Sequence, residues 1–479
     1  MRRVTLPVLA LTALGAVLRF ATLDQQSFWL DELVTVSLLR MNFGDMLDAI
    51  PESEATPYFY YVLAWPWARI FGFGEVGLRS LSALVGTAVI PVAYGAGAML
   101  VSRRTGLITA ALVSAHPLLV WYAQEARSYS LLAFLTACSL LFVGRAIRAP
   151  SHFALAGWAV SASFAIATHY FAIFLVVPEA FWLLTRSRPR RPVLLASFVP
   201  AVVLLLHVPL LDRQREAGAA VSETSLVRRL AGIPKDLVVG YSFPTEVLGT
   251  ALAAALVLVG LALLVTRSTP DARRRALVPA SVAASAIAVP VVLALVGADY
   301  VVARNTILAV VPAGVLLATG YAANRLGLAA AGALCALGLA IVLSTSLDAR
   351  YGRTDWRGAA ERLATPTVPR AIVVTPYMSR SLWSPYLPRL GEPQVEAPEV
   401  EEIAVIGLAT EGGFSGGAVE PPDVAAPAPP PGFEFVDDEH ASTYTLFLYR
   451  ARRPTPISTT DLAELRLTDI QPGILLQGP

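Results

Sequence analysis

The run "YFYYVLAWPWARIFG", residues 58–72, decides how the chain is threaded. Counting it as a membrane span would reverse the side of every later loop. Elsewhere between residues 4 and 347, apolar runs recur that are long enough to cross about 30 Å of hydrocarbon. Spans fit at 5–23, 76–100, 105–123, 128–147, 153–168, 170–186, 193–211, 246–266, 277–297, 305–323 and 327–347. The arginines then orient them. Arg2 and Arg3, Arg103 and Arg104, Arg145 and Arg148, "RSRPRR" at 186–191, "RSTPDARRR" at 267–275, and Arg325 share one side if residues 24–75 make a single excursion to the other. Basic connections stay in the cytoplasm. The pattern therefore predicts eleven spans, a cytoplasmic N-terminus and an extracytoplasmic C-terminus. Residues 58–72 become a helix lying in the outer interface, a level that suits tyrosine and tryptophan.

Composition agrees with a membrane protein. Of 479 residues, 55% are hydrophobic and 15% charged, and mean hydropathy is +0.60. This predicts an all-α polytopic membrane protein carrying a small α/β domain outside the membrane. The formal charge of +2 hides an uneven distribution, and Lys235 is the one lysine. Cys138 and Cys335 both lie in apolar runs, so neither a disulfide nor a thiolate metal site is expected. The first apolar run is long for a signal peptide and reads as a retained span. The composition changes after residue 347, which divides a membrane domain, 1–347, from a C-terminal domain, 348–479. There "DWRGAAERL" reads as an amphipathic helix and "AIVVTP" and "TYTLFLYR" as strands, with a proline-rich linker over 418–432. Two outer segments are long, 24–75 and 212–245. The sequence holds no phosphate-binding glycine loop, zinc helix or Cys-His cluster. No nucleic-acid partner is expected. Every cytoplasmic connection is short, so an activated donor must come through the lipid or from outside.

Polar groups collect on the outer side of this topology: Asp31 and Glu32 in "FWLDELVTVSLLR", then His116, Gln124, Glu125, Arg127 and Tyr129 in "HPLLVWYAQEARSY", then His169 and Arg304. Ionisable groups near lipid are costly and usually face a cavity or one another. Each also has a plainer reading. The acidic pair could be a solvated helix start, Glu125 and Arg127 a structural ion pair, His169 and His116 hydrogen-bonded histidines, and Arg304 an interfacial anchor. Helical neighbours diverge by about 100°, so at most one of Asp31 and Glu32 should enter a cavity. Glu32 falls nearer the stripe of Trp29, Leu33, Val36 and Arg40, and Asp31 projects with Thr35 and Leu38.

These stretches, with "TPYFYYVLAWPWARIFGFGEVGLRSLSALVG", "THYFAIFLV", "ARNTILAVVPAGVLLA" and "DWRGAAERL", resemble in their order and spacing the bacterial GT-C glycosyltransferases related to family 39. That group includes protein O-mannosyltransferases and lipid A aminoarabinose transferases. The resemblance runs from residue 5 to about 365 and implies a GT-C fold. It implies transfer of a mannose-like sugar or a pentose from a polyprenyl-phosphate donor to an envelope lipid, glycan or protein, by inverting single displacement. It implies that Asp31 is the catalytic base, with Glu32 beside it. Glu125, Arg127 and Arg304 would line the donor site, with Tyr129 and His169 among the substrate-binding residues. No cofactor is required by the resemblance, and a divalent metal ion stays open. Two positions depart from the pattern: Thr56-Pro57 stands where many relatives have His-Pro-Pro, and Asn305 where they often have tyrosine. The competing classes are another polytopic envelope enzyme, such as a glycan polymerase or ligase, and a lipid or solute transporter.

Overall fold

A computed structural model describes residues 2–214, 225–363, 365–375, 383–408 and 420–479. Two sequence expectations fall partly outside these residues: the outer segment 212–245 and the start of the linker 418–432. The chain forms two units. The first holds residues 1–23, 34–241 and 245–343. The second holds 24–33, 242–244 and 344–479, so the loop before the first acidic pair groups with the C-terminal part of the chain.

The first unit is helical: α1 Arg2–Phe20, α2 Leu30–Arg40 (which begins in the second unit), α3 Phe43–Ser53, α4 Phe59–Phe71, α5 Glu75–Leu100, α6 Arg103–Ser114, α7 Pro117–Ala123, α8 Tyr129–Arg148 and α9 His152–Thr168. There follow α10 Ile173–Arg186, α11 Arg191–Arg213, α12 Leu226–Val239, α13 Glu246–Thr266, α14 Pro270–Leu295, α15 Val310–Tyr321 and α16 Arg325–Leu347. Among the described residues seven helices are long and apolar enough to cross a membrane, and α6 with α7 make an eighth if that bent pair is one span. All seven coincide with drawn spans. The expected spans at 5–23 and 153–168 are shorter apolar helices. The one at 170–186 is a 3-10 turn, Tyr170–Ala172, followed by the 14 residues of α10. By length and apolar composition alone, seven or eight of the eleven expected spans are thus matched among the described residues. α4 has 13 residues, fewer than the roughly 20 a crossing needs.

Lipid-facing sides are greasy. Leu195 and Leu206 on α11 are 70% and 73% exposed, which suits hydrocarbon as the solvent. Helix contacts depend on small residues, because lipid supplies no hydrophobic drive for helices to associate. A methyl group on Gly106 of α6 would come within 2.5 Å of the Tyr94 carbonyl on α5. One on Gly320 of α15 would meet the Gly260 carbonyl of α13. Polar groups are not confined to the ends. Glu179 in the middle of α10 is fully buried, with bonds from Ser139 and from Trp158 Nε1 at 2.9 Å.

The second unit is α/β. Its six-stranded sheet has the order β2-β6-β1-β3-β5-β4, with β1 Arg370–Thr375, β2 Leu390–Gly391, β3 Glu399–Leu408, β4 Glu434–His440, β5 Tyr444–Pro456 and β6 Gly473–Gln477. β1 and β3 run parallel and the other pairs antiparallel. Successive strand residues face opposite sides. Ala371 and Val373 enter one core with Val405, Phe447 and Leu462, while Ile372 and Val374 are fully buried on the other face. Among its described residues the unit also has the helices α17 Trp356–Leu363 and α18 Thr459–Glu464. The expected amphipathic helix and both expected strands are α17, β1 and β5. The described part of the proline-rich stretch has no helix or strand. It is fastened to β5 by Thr445 Oγ1 donating to the Pro422 carbonyl at 2.9 Å and Tyr449 Oη to that of Pro427 at 2.7 Å.

Candidate active site

The drawn span 105–123 is broken at His116-Pro117. Proline cannot donate the bond a continuous helix needs, and the pair bends by 58° between α6 and α7. Such a break leaves the last carbonyls of α6 without helical donors. Arg19, fully buried at the end of α1, supplies them: Nη2 donates to the Val113 carbonyl at 3.1 Å and Nη1 to that of Ser114 at 3.0 Å. At the far end of α7 the Gln124 amide donates to the Leu18 carbonyl at 3.0 Å and to Thr22 Oγ1 at 2.6 Å. The end of α6 and the far end of α7 are thus both tied to α1. This fixes where Tyr122, Glu125 and Arg127 stand.

Arg127 pairs with Glu54. Nη1 and Nη2 donate to the two Glu54 oxygens at 2.6 and 2.8 Å, and Nη1 also reaches Tyr61 Oη at 3.1 Å and Thr35 Oγ1 at 3.2 Å. The side chains are 7% and 3% exposed. A bidentate fork of this kind fixes the guanidinium plane. Glu54 lies 73 residues away, in the "ESEATP" stretch, and was not singled out.

Around the same turn stands a row of rings. Tyr122 lies 4.6 Å from Tyr129 and 6.2 Å from Tyr241, and His169 lies 6.3 Å from Tyr129, all between centroids. The Tyr122 and Tyr241 hydroxyls share a hydrogen bond. Arg304, in the 3-10 turn Ala303–Ala309, is within electrostatic reach of Tyr122, Tyr241 and His169, and Glu125 of both tyrosines. His169 Nδ1 accepts the Phe171 N–H at 3.2 Å. The Asn305 side chain is hydrogen-bonded to the same imidazole, while its amide nitrogen donates to the Tyr300 carbonyl at 2.8 Å. With Nδ1 accepting, the neutral ring carries its proton on Nε2. The structure therefore brings Glu125, Arg127, Tyr129, His169 and Arg304 together in the first unit.

Two neighbours shape this group. Asp299, the acid nearest Arg304 in sequence, is engaged elsewhere: Arg229 donates to both its oxygens, one at 2.8 Å. That bond holds the Asp299 carboxyl below its usual range. Lys235 donates to the Tyr241 carbonyl and to Glu246 Oε1 at 2.8 Å, clamping the turn that begins at Gly240, whose φ of 81° favours glycine. Burial pushes the adjoining Asp236 carboxyl up to about 7, and Lys235 pulls it the other way. A lone lysine was the available sequence signal for this clamp.

The acidic pair belongs to the second unit. Both residues lie in the first turn of α2. Glu32 is fully buried and accepts from Arg353 Nη1 at 3.2 Å; Asp31 is half-buried. Arg353 was not singled out in the sequence. Among the described residues no group of three or more His, Cys, Asp or Glu is placed to hold a metal ion.

Residues 55–211 match the family model described as dolichyl-phosphate-mannose-protein mannosyltransferase. That is about a third of the chain. No curated protein matches the sequence. Among solved structures, ArnT from Cupriavidus metallidurans in the apo state is 19% identical with a TM-score of 0.45, covering 66% of this chain and 59% of its own. The S. cerevisiae protein O-mannosyltransferase Pmt1-Pmt2 complex is 16% identical with a TM-score of 0.34, covering 44% and 34%. Arabinofuranosyltransferase AftD from Mycobacteria is 16% identical with a TM-score of 0.46, covering 93% and 40%. The chain thus spans about three fifths of the length of the first of these. It is a polytopic helical membrane protein with a small α/β unit. Over residues 55–211 it is similar to the dolichyl-phosphate-mannose-protein mannosyltransferases, in keeping with the resemblance to GT-C enzymes related to family 39.

Proposed function

We propose that this chain moves a sugar from a polyprenyl-phosphate donor to a hydroxyl of a cell-envelope acceptor, at the outer face of the plasma membrane. The sugar is a mannose-like hexose or a pentose, and the acceptor a lipid, glycan or protein. The observation that carries the reading is the cluster of Arg304, Glu125 and the ring row, assembled from distant stretches of the helical unit. Asp31 takes the acceptor hydroxyl proton. The freed oxygen bonds to the anomeric carbon from the side opposite the phosphate, the carbon–oxygen bond to the phosphate breaks, and its electron pair leaves on the lipid phosphate. Arg304 stabilises that developing charge, as preorganised cations do at leaving groups. The step inverts the anomeric centre. It uses no metal. Glu32 is the more deeply buried of the pair, fully enclosed beside Arg353, and so less open to an acceptor than half-buried Asp31. An outer-face site also requires the expected topology, with the C-terminus outside.

Arg304→Lys tests the phosphate role. Lysine keeps the charge without the planar fork. One charge-assisted bond is worth roughly 1.5 to 3 kcal/mol, so donor affinity should fall about tenfold to a hundredfold, with expression and detergent stability retained. Titration with undecaprenyl phosphate reads this directly. A change confined to acceptor affinity would make Arg304 an acceptor residue instead.

A further inference from the structure

The loop that enters α2 is built against a segment that follows α16. Arg353 stands 321 residues beyond Glu32. Their side chains are 5% and 0% exposed, and the Arg353 guanidinium carbon lies 4.8 Å from the Trp29 ring centroid, where the π face attracts a cation. The Arg353 N–H donates to Gln26 Oε1 at 3.3 Å. Ser27 Oγ donates to the Thr354 carbonyl at 3.0 Å and accepts the Trp356 N–H at 3.0 Å. The Phe28 N–H donates to Tyr386 Oη at 2.7 Å. Glu32 also reaches back toward the Trp29 N–H, 3.4 Å away, in the manner of a capping box.

We propose that Arg353 is a positioning residue for Asp31, acting through Glu32. The proposal rests on the assignment of Asp31 as the base. Turning α2 about its axis would draw Glu32 away from Arg353 and break this buried ion pair, which is strongly unfavourable. Adjacent helical side chains differ by about 100°, so fixing Glu32 fixes the direction of Asp31. The pair is therefore a rotational lock. It makes the stretch "GRTDW" part of the machinery rather than a tether to the sheet.

The test uses the full-length protein with Arg353→Gln, Arg353→Lys, Glu32→Gln and the Arg353→Gln/Glu32→Gln double variant. Hydrogen–deuterium exchange over residues 26–33 should rise equally in Arg353→Gln and Glu32→Gln, and no further in the double variant. Turnover of polyprenyl-phosphate mannose should fall about tenfold to a hundredfold in Arg353→Gln with donor KM unchanged, since a misplacement of about 1 Å can cost on the order of 10²-fold. Arg353→Lys should recover part of that rate. Unchanged exchange in Arg353→Gln would overturn the proposal, as would a loss residing wholly in donor KM. If exchange behaves as described but Asp31→Asn turns over normally, the assignment of the base falls and the lock on α2 stands.

Discussion

Asp31→Asn is expected to abolish most transfer while leaving the fold intact. The amide matches the carboxylate in size but cannot accept the acceptor's proton. A positioned general base contributes about 10² to 10⁴ in rate, so turnover should drop by that factor at equal protein levels. The effect should appear in kcat, because the proton moves only in the chemical step. Glu32→Gln should cost less: it weakens the bond to Arg353 at 3.2 Å and loosens the turn, but leaves the base in place. Near-normal turnover in Asp31→Asn, measured as donor consumed per enzyme, would move the base elsewhere.

The largest stability effect is expected at Glu54. Its carboxylate grips Arg127 with two bonds, and both side chains are almost wholly buried. Glu54→Gln leaves a guanidinium charge facing a neutral amide. Breaking a buried pair from one side costs about 3 to 5 kcal/mol. Glu54→Gln should therefore unfold at clearly lower temperature in detergent. The double variant Glu54→Gln/Arg127→Met removes the stranded charge and should regain part of the loss. If Glu54→Gln melts like the parent, the pair is not what holds this turn.

These residues also show what a sequence can disclose. The membrane class and most of the spans were legible because apolar length and loop arginines are local signals. The polar cluster of the first unit was legible because Glu125, Arg127 and Tyr129 fall within one turn, while His169 and Arg304 stand at helix ends, where polar groups near lipid are conspicuous. Glu54 and Arg353 were not, since an ion pair across 73 or 321 residues leaves no periodic mark. The break at His116-Pro117 was available: a proline inside an apolar run argues for a boundary, and the run was nonetheless drawn as one span. The choice between Asp31 and Glu32 illustrates the middle case. Helical geometry set them apart, and their burial differs: Glu32 is fully buried and Asp31 half-buried.

The most direct test of polyprenyl-phosphate-dependent transfer follows both products at once. Purified full-length protein in lipid discs is given labelled polyprenyl-phosphate mannose or the corresponding pentose donor, with envelope membranes from cells lacking the gene as acceptor. Free polyprenyl phosphate and labelled envelope product should appear together, in equal amounts, with one of the two donors, and neither should appear with Asp31→Asn. If both donors are left uncleaved, or are carried intact across the bilayer, the chain is not a transferase of this kind.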